Sequence, residues 1–457
     1  MELKIKAVLD PQFAPMSLKV REMRELTKDN GQDIVIGVER NKGAVTTYRT
    51  RIFPDGTGHD EENYRFVERI VKSMLWVAGG FKIIIAGSEV VAQRIKEAYV
   101  DGGYRDFDLH FMENVYESKF EVISVSLEDA PKDVSTAAPI GRHLDGCRIG
   151  FDAGGSDRKV SAVIDGEVVY SEEVVWHPKK NPDPNYQYQG ILDSFRTAAS
   201  KMPRVDAIGV SSAGTFIGNA PMISSIFYCV PRDRWDEVKT VFDRAAAEIG
   251  DVPCVVANDG DVSALAGAMG MGCGKIMGLA MGTSEAVGYV DADKNVLGWI
   301  TELAFAPVDL SENAMQDEWS TDFGVGCKYF SQDSVNKLAP RAGIELDENL
   351  TPAEKLKVVQ ALMAADDERA QKVFRDIGKY LAYTVVLYDR FYDIEHLMLL
   401  GRVMSGKGGD LILETCNAVL ADEYPALAKK VNVMLPDEKT RRVGQSAAAA
   451  SLPALRK

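Results

Sequence analysis

The 457-residue chain is 46% hydrophobic and 26% charged, a composition that fits a globular protein of two or three domains and excludes a disordered or fibrous one. Its formal charge of −15 opposes a phosphate backbone, which binds through Lys and Arg, so nucleic acid is not an expected partner. No run approaches the roughly 18 apolar residues a bilayer crossing needs, and Met1-Glu2-Leu3-Lys4 opens no signal peptide; the expectation is a cytoplasmic protein without membrane contact. Six cysteines (147, 229, 254, 273, 327 and 416) make no CxxC pair, and five histidines make no HxxxH or HExxH pattern. Reduced thiols are therefore expected, with no zinc site.

From the N-terminus, "DIVIGVERNKGAVTTYRTRIF" (33–53) reads as a hairpin turning at Asn41-Lys42-Gly43, "NYRFVERIVKSMLWV" (63–77) as a helix and "KIIIAGS" (82–88) as a strand. Residues 1–125 are thus expected to form an N-terminal α/β domain. The stretch 126–146, "SLEDAPKDVSTAAPIGRHLDG", is rich in Pro, Ser, Asp and Gly, lacks an apolar period, and reads as a linker.

A second α/β region spans 147–457. It opens with a strand-turn-strand pattern to about residue 175, then a helix near 191–200, the strand "DAIGVSS" (206–212), a long helix near 234–249, the strand "PCVVA" (253–257) and the small-residue helix "DVSALAGAM" (261–269). Beyond Gly282 the pattern is strand-rich to about 303, loop-like to 326, and helical over 331–339, 353–363 and 368–388. The strand "HLMLLG" (396–401) comes next. The tail "VGQSAAAASLPAL" reads as a helix with a face small enough to pack closely on another element. Hairpin, helix and strand recur in the order seen near the N-terminus, so a degenerate repeat of the region from Ile149 onward is one reading of 1–125; an unrelated α/β domain is the reading slightly favoured over it.

Three stretches carry chemistry. In "IGFDAGGSDRK" (149–159) an apolar strand ends at Asp152 and turns at Gly154-Gly155. Glycines permit positive φ and let backbone amides approach an anion, Ser156 adds a hydroxyl, and Asp152 is placed to hold a hydrated divalent cation beside a phosphate. A plain hairpin turn uses the same residues. In "GLAMGTSEAVGYV" a second strand bends through Gly282-Thr283-Ser284, and two such turns can grip one polyphosphate. In "VVANDGDVSALAG", Asn258-Asp259 sits where a strand ends and a helix begins. A carboxylate there can take a hydroxyl proton as general base, or serve only as a helix cap.

In this order the motifs resemble the sugar-kinase, hexokinase and actin-like ATPase fold, and within it the ROK family of sugar kinases and regulators, over residues 148 to about 455. "IGFDAGGS" is similar to the first phosphate motif, "AIGVSSAGTFIGNAP" to the loop over the sugar, "VPCVVANDGDVSALAGAMGMGCGK" to the segment bearing the catalytic Asp, "GLAMGTSEAVGYV" to the second phosphate motif and "HLMLLGRVMSGKGG" to the adenosine motif. The fold implied is a two-lobed kinase (lobe one 147–258 plus the C-terminal helix, lobe two 259–440) behind the extra N-terminal α/β domain. The resemblance implies Asp259 as base; Asn219, Asn258 and Glu302 on the substrate; Asp152, Gly154, Gly155, Ser156, Gly282, Thr283 and Gly401 on the nucleotide; and ATP with Mg2+, linked through water to Asp152, as cofactors. The implied substrate is a sugar or sugar-like small molecule, and a homodimer is the assembly to test.

The departures are specific. Phe305 stands where the family's Gly-Glu-x-Gly-His pattern has histidine, and Tyr329 where its Gly-Cys-x-Glu has glutamate. The cysteine-rich zinc loop is absent. Glu285 would repel ATP unless it faces away or meets a metal. "GRVMSGKGG" (401–409) matches a P-loop spacing but has Gly408 where Ser or Thr would hold magnesium. Arg158 and Lys159 read as solvated, within reach of a phosphate. Two functions remain: an ATP-dependent phosphotransferase, or a non-catalytic sensor of the same fold. DNA regulation is disfavoured because no basic recognition helix is evident in 1–125.

Overall fold

The computed structural model describes residues 2–135, 140–436 and 444–456. The chain divides into two compact units. One comprises Met1–Thr136, Leu279–Val287 and Trp299–Leu435, and the other Ala137–Gly278, Gly288–Gly298 and Pro436–Lys457.

In the first unit the strands β1 (Gln32–Glu39), β2 (Val45–Ile52), β3 (Lys82–Ala86) and β4 (Glu121–Val125) form a four-stranded sheet in the order β2-β1-β3-β4. The hairpin turn falls at Asn41–Gly43, and the helix Asp60–Ala78 comes after it, as the sequence pattern predicts. The inner face of that helix, from Phe66 to Val77, is almost wholly buried.

Residues 1–125 are not a separate compact body. They are joined within the unit to the later segments by hydrogen bonds from Met16 N–H to the Val308 carbonyl at 2.9 Å and from Thr301 N–H to the Val77 carbonyl at 3.0 Å. Asp376 accepts from the amides of Val8 and Leu9, and the buried Lys72 pairs with both Asp108 and Asp322. A 125-residue segment that leaves such groups to be satisfied elsewhere does not close its own core. The passage from one unit to the other at 136/137 falls inside the predicted 126–146 linker, but residues 1–125 share their unit with later segments of the chain.

In the second unit the strands β5 (Cys147–Ala153), β6 (Asp157–Ile164), β7 (Glu167–Val175), β8 (Ala207–Ser212) and β11 (Cys254–Asn258) build a five-stranded sheet in the order β11-β8-β5-β6-β7, while β9 (Thr215–Ile217) and β10 (Ala220–Ile223) form a separate hairpin. β5, β8 and β11 run parallel, and β5, β6 and β7 meander antiparallel. This topology also bears on the suspected repeat. In the N-terminal sheet β1 meets β3 antiparallel, whereas the corresponding β5 meets β8 parallel. A one-to-one duplication does not reverse a central strand, so the recurrence is one of element order alone.

Strand periodicity decides which face each β5 residue takes. Ile149, Phe151 and Ala153 join Ile208 and Val210 in the buried core with Phe195 of the helix Pro184–Ala199. Gly150 and Asp152 point the other way, and there the small-residue helix Gln445–Ala450 lies on the sheet. A Cβ built on Gly150 would stand 1.8 Å from the Ser446 carbonyl oxygen, and one on Gly209 would stand 1.7 Å from that of Ala449. The predicted close packing of the tail thus depends on two bare backbone positions.

The strands β12 (Ile276–Met281), β13 (Glu285–Val290), β14 (His396–Leu400) and β15 (Asn432–Met434) form a last sheet in the order β13-β12-β14-β15. The predicted long helix near 234–249 is broken at Thr240 into Trp235–Lys239 and Val241–Ala247. The strand-rich stretch expected to about 303 ends at Val290, and the helix Lys407–Glu423 begins within the "GRVMSGKGG" stretch.

Candidate functional site

The carboxyl ends of the parallel strands β5, β8 and β11 bring together Asp152, Ser211, Asn258 and Asp259. In such sheets that edge is where ligands bind, because strands stop there and helix N-termini begin. Asp152 and Ser211 are register partners, and the Ser211 hydroxyl donates to Asp152 Oδ1 at 2.9 Å. Gln445, at the start of the C-terminal helix, donates through Nε2 to the Ser211 hydroxyl and to the Asp259 carbonyl, both at 2.9 Å. Burial pushes the Asp152 carboxyl up to about 6, the Ser211 hydrogen bond pulls against it, and the Asp259 charge adds to the rise.

Asp259 opens the helix Asp259–Met271, and the cap is its neighbour. Asn258 Oδ1 accepts from Gly260 N–H at 2.7 Å, and its Nδ2 donates to the Gly214 carbonyl at 2.8 Å. The Asp259 carboxylate, which accepts from Gly260 N–H at 3.0 Å, is therefore spared the capping role the sequence left open. Burial raises its pKa, opposed by the Gly260 amide and by the Lys179 charge. Asp261 is raised to about 7, first by burial. Asn258 is thus placed to orient Asp259 and the 213–214 loop, with its amide largely committed.

The first glycine turn joins β5 to β6. The Trp176 indole donates to the Gly154 carbonyl at 2.8 Å, and Trp176 N–H donates to the Ser156 carbonyl at 3.1 Å. Neither Gly154 nor Gly155 has positive φ, so the predicted conformational reason for them does not hold. The reason is room: a Cβ on Gly154 would stand 2.8 Å from the Asp157 carbonyl, and one on Gly155 would stand 2.4 Å from Cε of Lys179. The Ser156 hydroxyl donates to Asp157 Oδ2 at 2.9 Å. Arg158 is not solvated. It donates to the Gly190 carbonyl and to Ser194, and lies over the Trp176 ring. Sequence reasoning missed Trp176, Lys179 and Gln445.

Asn219 lies apart from these groups in its bonding. Its Nδ2 donates to Asp243 and to the Cys254 carbonyl, and its Oδ1 accepts from Val256 N–H. The amide expected to meet a substrate holds the β9–β10 turn on β11, beside a cavity of about 420 Å³ that Asp243, Asp251 and Arg456 also line.

The other predicted residues belong to the first unit. Gly282 N–H donates to the Ser284 carbonyl at 3.0 Å and its carbonyl accepts from Gln332 N–H, while Thr283 is exposed at the tip; Gly282 has no positive φ. Gly401 does, at 93°, and a Cβ there would stand 2.4 Å from the Met281 carbonyl oxygen. Glu285 does not project from the turn. It is 4% exposed, accepts from the Tyr388 hydroxyl at 3.2 Å and packs on bare Gly326. Burial pushes its pKa up to about 8 and the Glu302 charge adds to the rise, so at neutral pH it is largely uncharged. Glu302 stands at the start of a short turn, Leu303–Phe305. Phe305 packs against Trp76, Phe107 and Phe111, and the Tyr329 hydroxyl donates to Asp309 at 2.5 Å in a buried cluster with Phe13 and Tyr380.

The α/β fold is of the kind seen in solved ROK sugar kinases and regulators. A ROK family transcriptional regulator, a homologue of the E. coli MLC protein, superposes with a TM-score of 0.54 at 14% identity, covering 68% of this chain and 79% of that one. The ROK hexokinase from Thermus thermophilus gives 0.51 at 16% identity, covering 67% and 97%. A sugar kinase described as putative, from Cytophaga hutchinsonii, gives 0.51 at 15%, covering 66% and 98%. No family model and no curated protein sequence matches the chain.

Proposed function

We propose that the protein is an ATP-dependent phosphotransferase acting on a sugar or sugar-like hydroxyl. The observation that carries the reading is the pair Asp152 and Asp259 at the ends of parallel strands, the first held by Ser211 and the second relieved of capping by Asn258. Asp259 accepts the proton of the attacking hydroxyl as general base. Its burial keeps its pKa nearer the working pH than that of a free carboxylate, which is what general-base catalysis rewards. Gln445 and Ser263 fix the main chain beneath it.

The residues fit a metal-nucleotide. Asp152 has one oxygen bound by Ser211 and no other hydrogen bond to its carboxylate among the described residues, as suits a cation met through water. When bound, Mg-ATP supplies the phosphoryl group and the charge that neutralises its oxygens. Gly154, Gly155 and Ser156 would meet the phosphates on the first glycine turn. Asn219 supports a substrate-binding role least, given its committed amide.

A sensor that binds without turnover is the second reading. It is favoured by Phe305 and Tyr329, which spend two would-be substrate positions on packing. Calorimetry with Mg-ATP, then a thermal-shift screen of sugars, tests the first reading. A ligand at 100 times its Kd stabilises by about 2.7 kcal/mol. Nucleotide binding with turnover on a sugar is expected; absence of nucleotide binding at millimolar concentration would overturn it.

A further inference from the structure

We propose that Lys179 is a phosphate-binding residue, whose ammonium, laid across Gly155, contacts the oxygens of a polyphosphate at the first glycine turn. Its position is given by the glycine: a Cβ on Gly155 would lie 2.4 Å from Lys179 Cε and 2.8 Å from Nζ, so the side chain runs over the bare backbone face. The short helix that carries it, Pro178–Lys180, is pinned from two sides. Gln187 Nε2 donates to the Pro178 carbonyl at 2.9 Å, and the Cys229 thiol donates to the Lys179 carbonyl at 2.9 Å.

Charge singles it out. Asp152, Asp157 and Asp259 would surround a phosphate at this turn with carboxylates, and an anion needs a cation there. Arg158 is spent on Gly190 and Ser194, and Lys159 stands between Asp157 and Glu173, 3.8 Å from each. Lys179 Nζ makes no hydrogen bond or ion pair among the described residues, yet its charge is felt at Asp259. A lysine held by its main chain and free at its head is arranged to meet an arriving anion as a point charge.

This inference rests on the phosphotransferase reading for its nucleotide, but not for its anion, and the test keeps them apart. The full chain is titrated calorimetrically with Mg-ATP and with inorganic tripolyphosphate, as wild type, Lys179→Met, Lys179→Arg and Gly155→Ala. Lys179→Met is expected to weaken both ligands by about tenfold or more, Lys179→Arg to restore most of the loss, and Gly155→Ala, whose methyl displaces the Lys179 stem, to weaken them as well. Melting temperatures should hold, because the Lys179 side chain is exposed.

Wild-type affinity in Lys179→Met, within twofold for both ligands, would overturn the inference and leave the kinase reading standing. Tripolyphosphate binding that depends on Lys179, without ATP binding or turnover, would support the inference and sink the kinase reading. Failure of the wild type to bind either ligand would overturn both.

Discussion

The two units use their polar residues in opposite ways. At the carboxyl ends of β5, β8 and β11, neighbouring groups take the structural work: Asn258 caps, Ser211 and Gln445 brace, and Trp176 anchors the turn, around the carboxylates of Asp152 and Asp259. In the first unit the positions that depart from the ROK pattern are engaged in packing. Glu285 is buried against Tyr388, Phe305 joins an aromatic cluster with Trp76, and Tyr329 closes on Asp309.

The largest test of that contrast in stability is Phe305→Ala. Loss of a half-buried aromatic that bridges 1–125 to the later segments should cost about 2–3 kcal/mol, read as a fall in melting temperature. A loss below about 1 kcal/mol would mean that Phe305 is free for a ligand after all. Tyr329→Phe removes a buried hydroxyl donor and leaves Asp309 short of one partner; a cost of about 1.5–3 kcal/mol is expected in denaturant unfolding.

Glu285→Gln should act through pH. The folded pKa of about 8 lies above the ordinary 4.5, so the folded state holds a proton that the unfolded chain has released; wild-type stability falls as pH rises from about 4.5 to 8 and the cost is complete above that. The glutamine does not titrate. Its melting temperature should match the wild type near pH 5 and exceed it by the equivalent of roughly 1 kcal/mol or more at pH 9. A parallel pH dependence in both proteins would contradict the burial of Glu285. The smallest effect is expected for Ser211→Ala. Loss of the donor to Asp152 should raise that carboxyl further above about 6, moving the acid limb of nucleotide binding upward by less than about one unit.

Much of the fold was legible because it is written in period and punctuation. The hairpin at Asn41–Gly43, the strands ending at Ser212 and Asn258, and the helices Pro352–Ala364 and Glu368–Tyr388 obey their apolar spacing. Asp152 and Asp259 were legible because an acidic residue at a strand end before a glycine or a helix is a local pattern. Lys179 was not, since "HPKKNPDP" reads as a solvated loop and only the backbone of Gly155 gives one of its lysines an address. Nor was Gln445, whose partner Ser211 lies 234 residues away. The sequence pattern did not reveal that β1 and β3 run antiparallel, or that Phe305 faces Trp76, because both depend on contacts across hundreds of residues or on strand direction, which spacing does not encode.

The central claim is that Asp259 is spared structural duty in order to move a proton, and Asp259→Asn tests it. Asn258 remains the cap, so the variant should melt as the wild type does and bind Mg-ATP with nearly unchanged affinity. Phosphoryl transfer to whichever sugar the screen returns should fall by about 10²–10⁴. Transfer that persists within about tenfold of wild type, or a melting temperature that falls instead, would contradict the account.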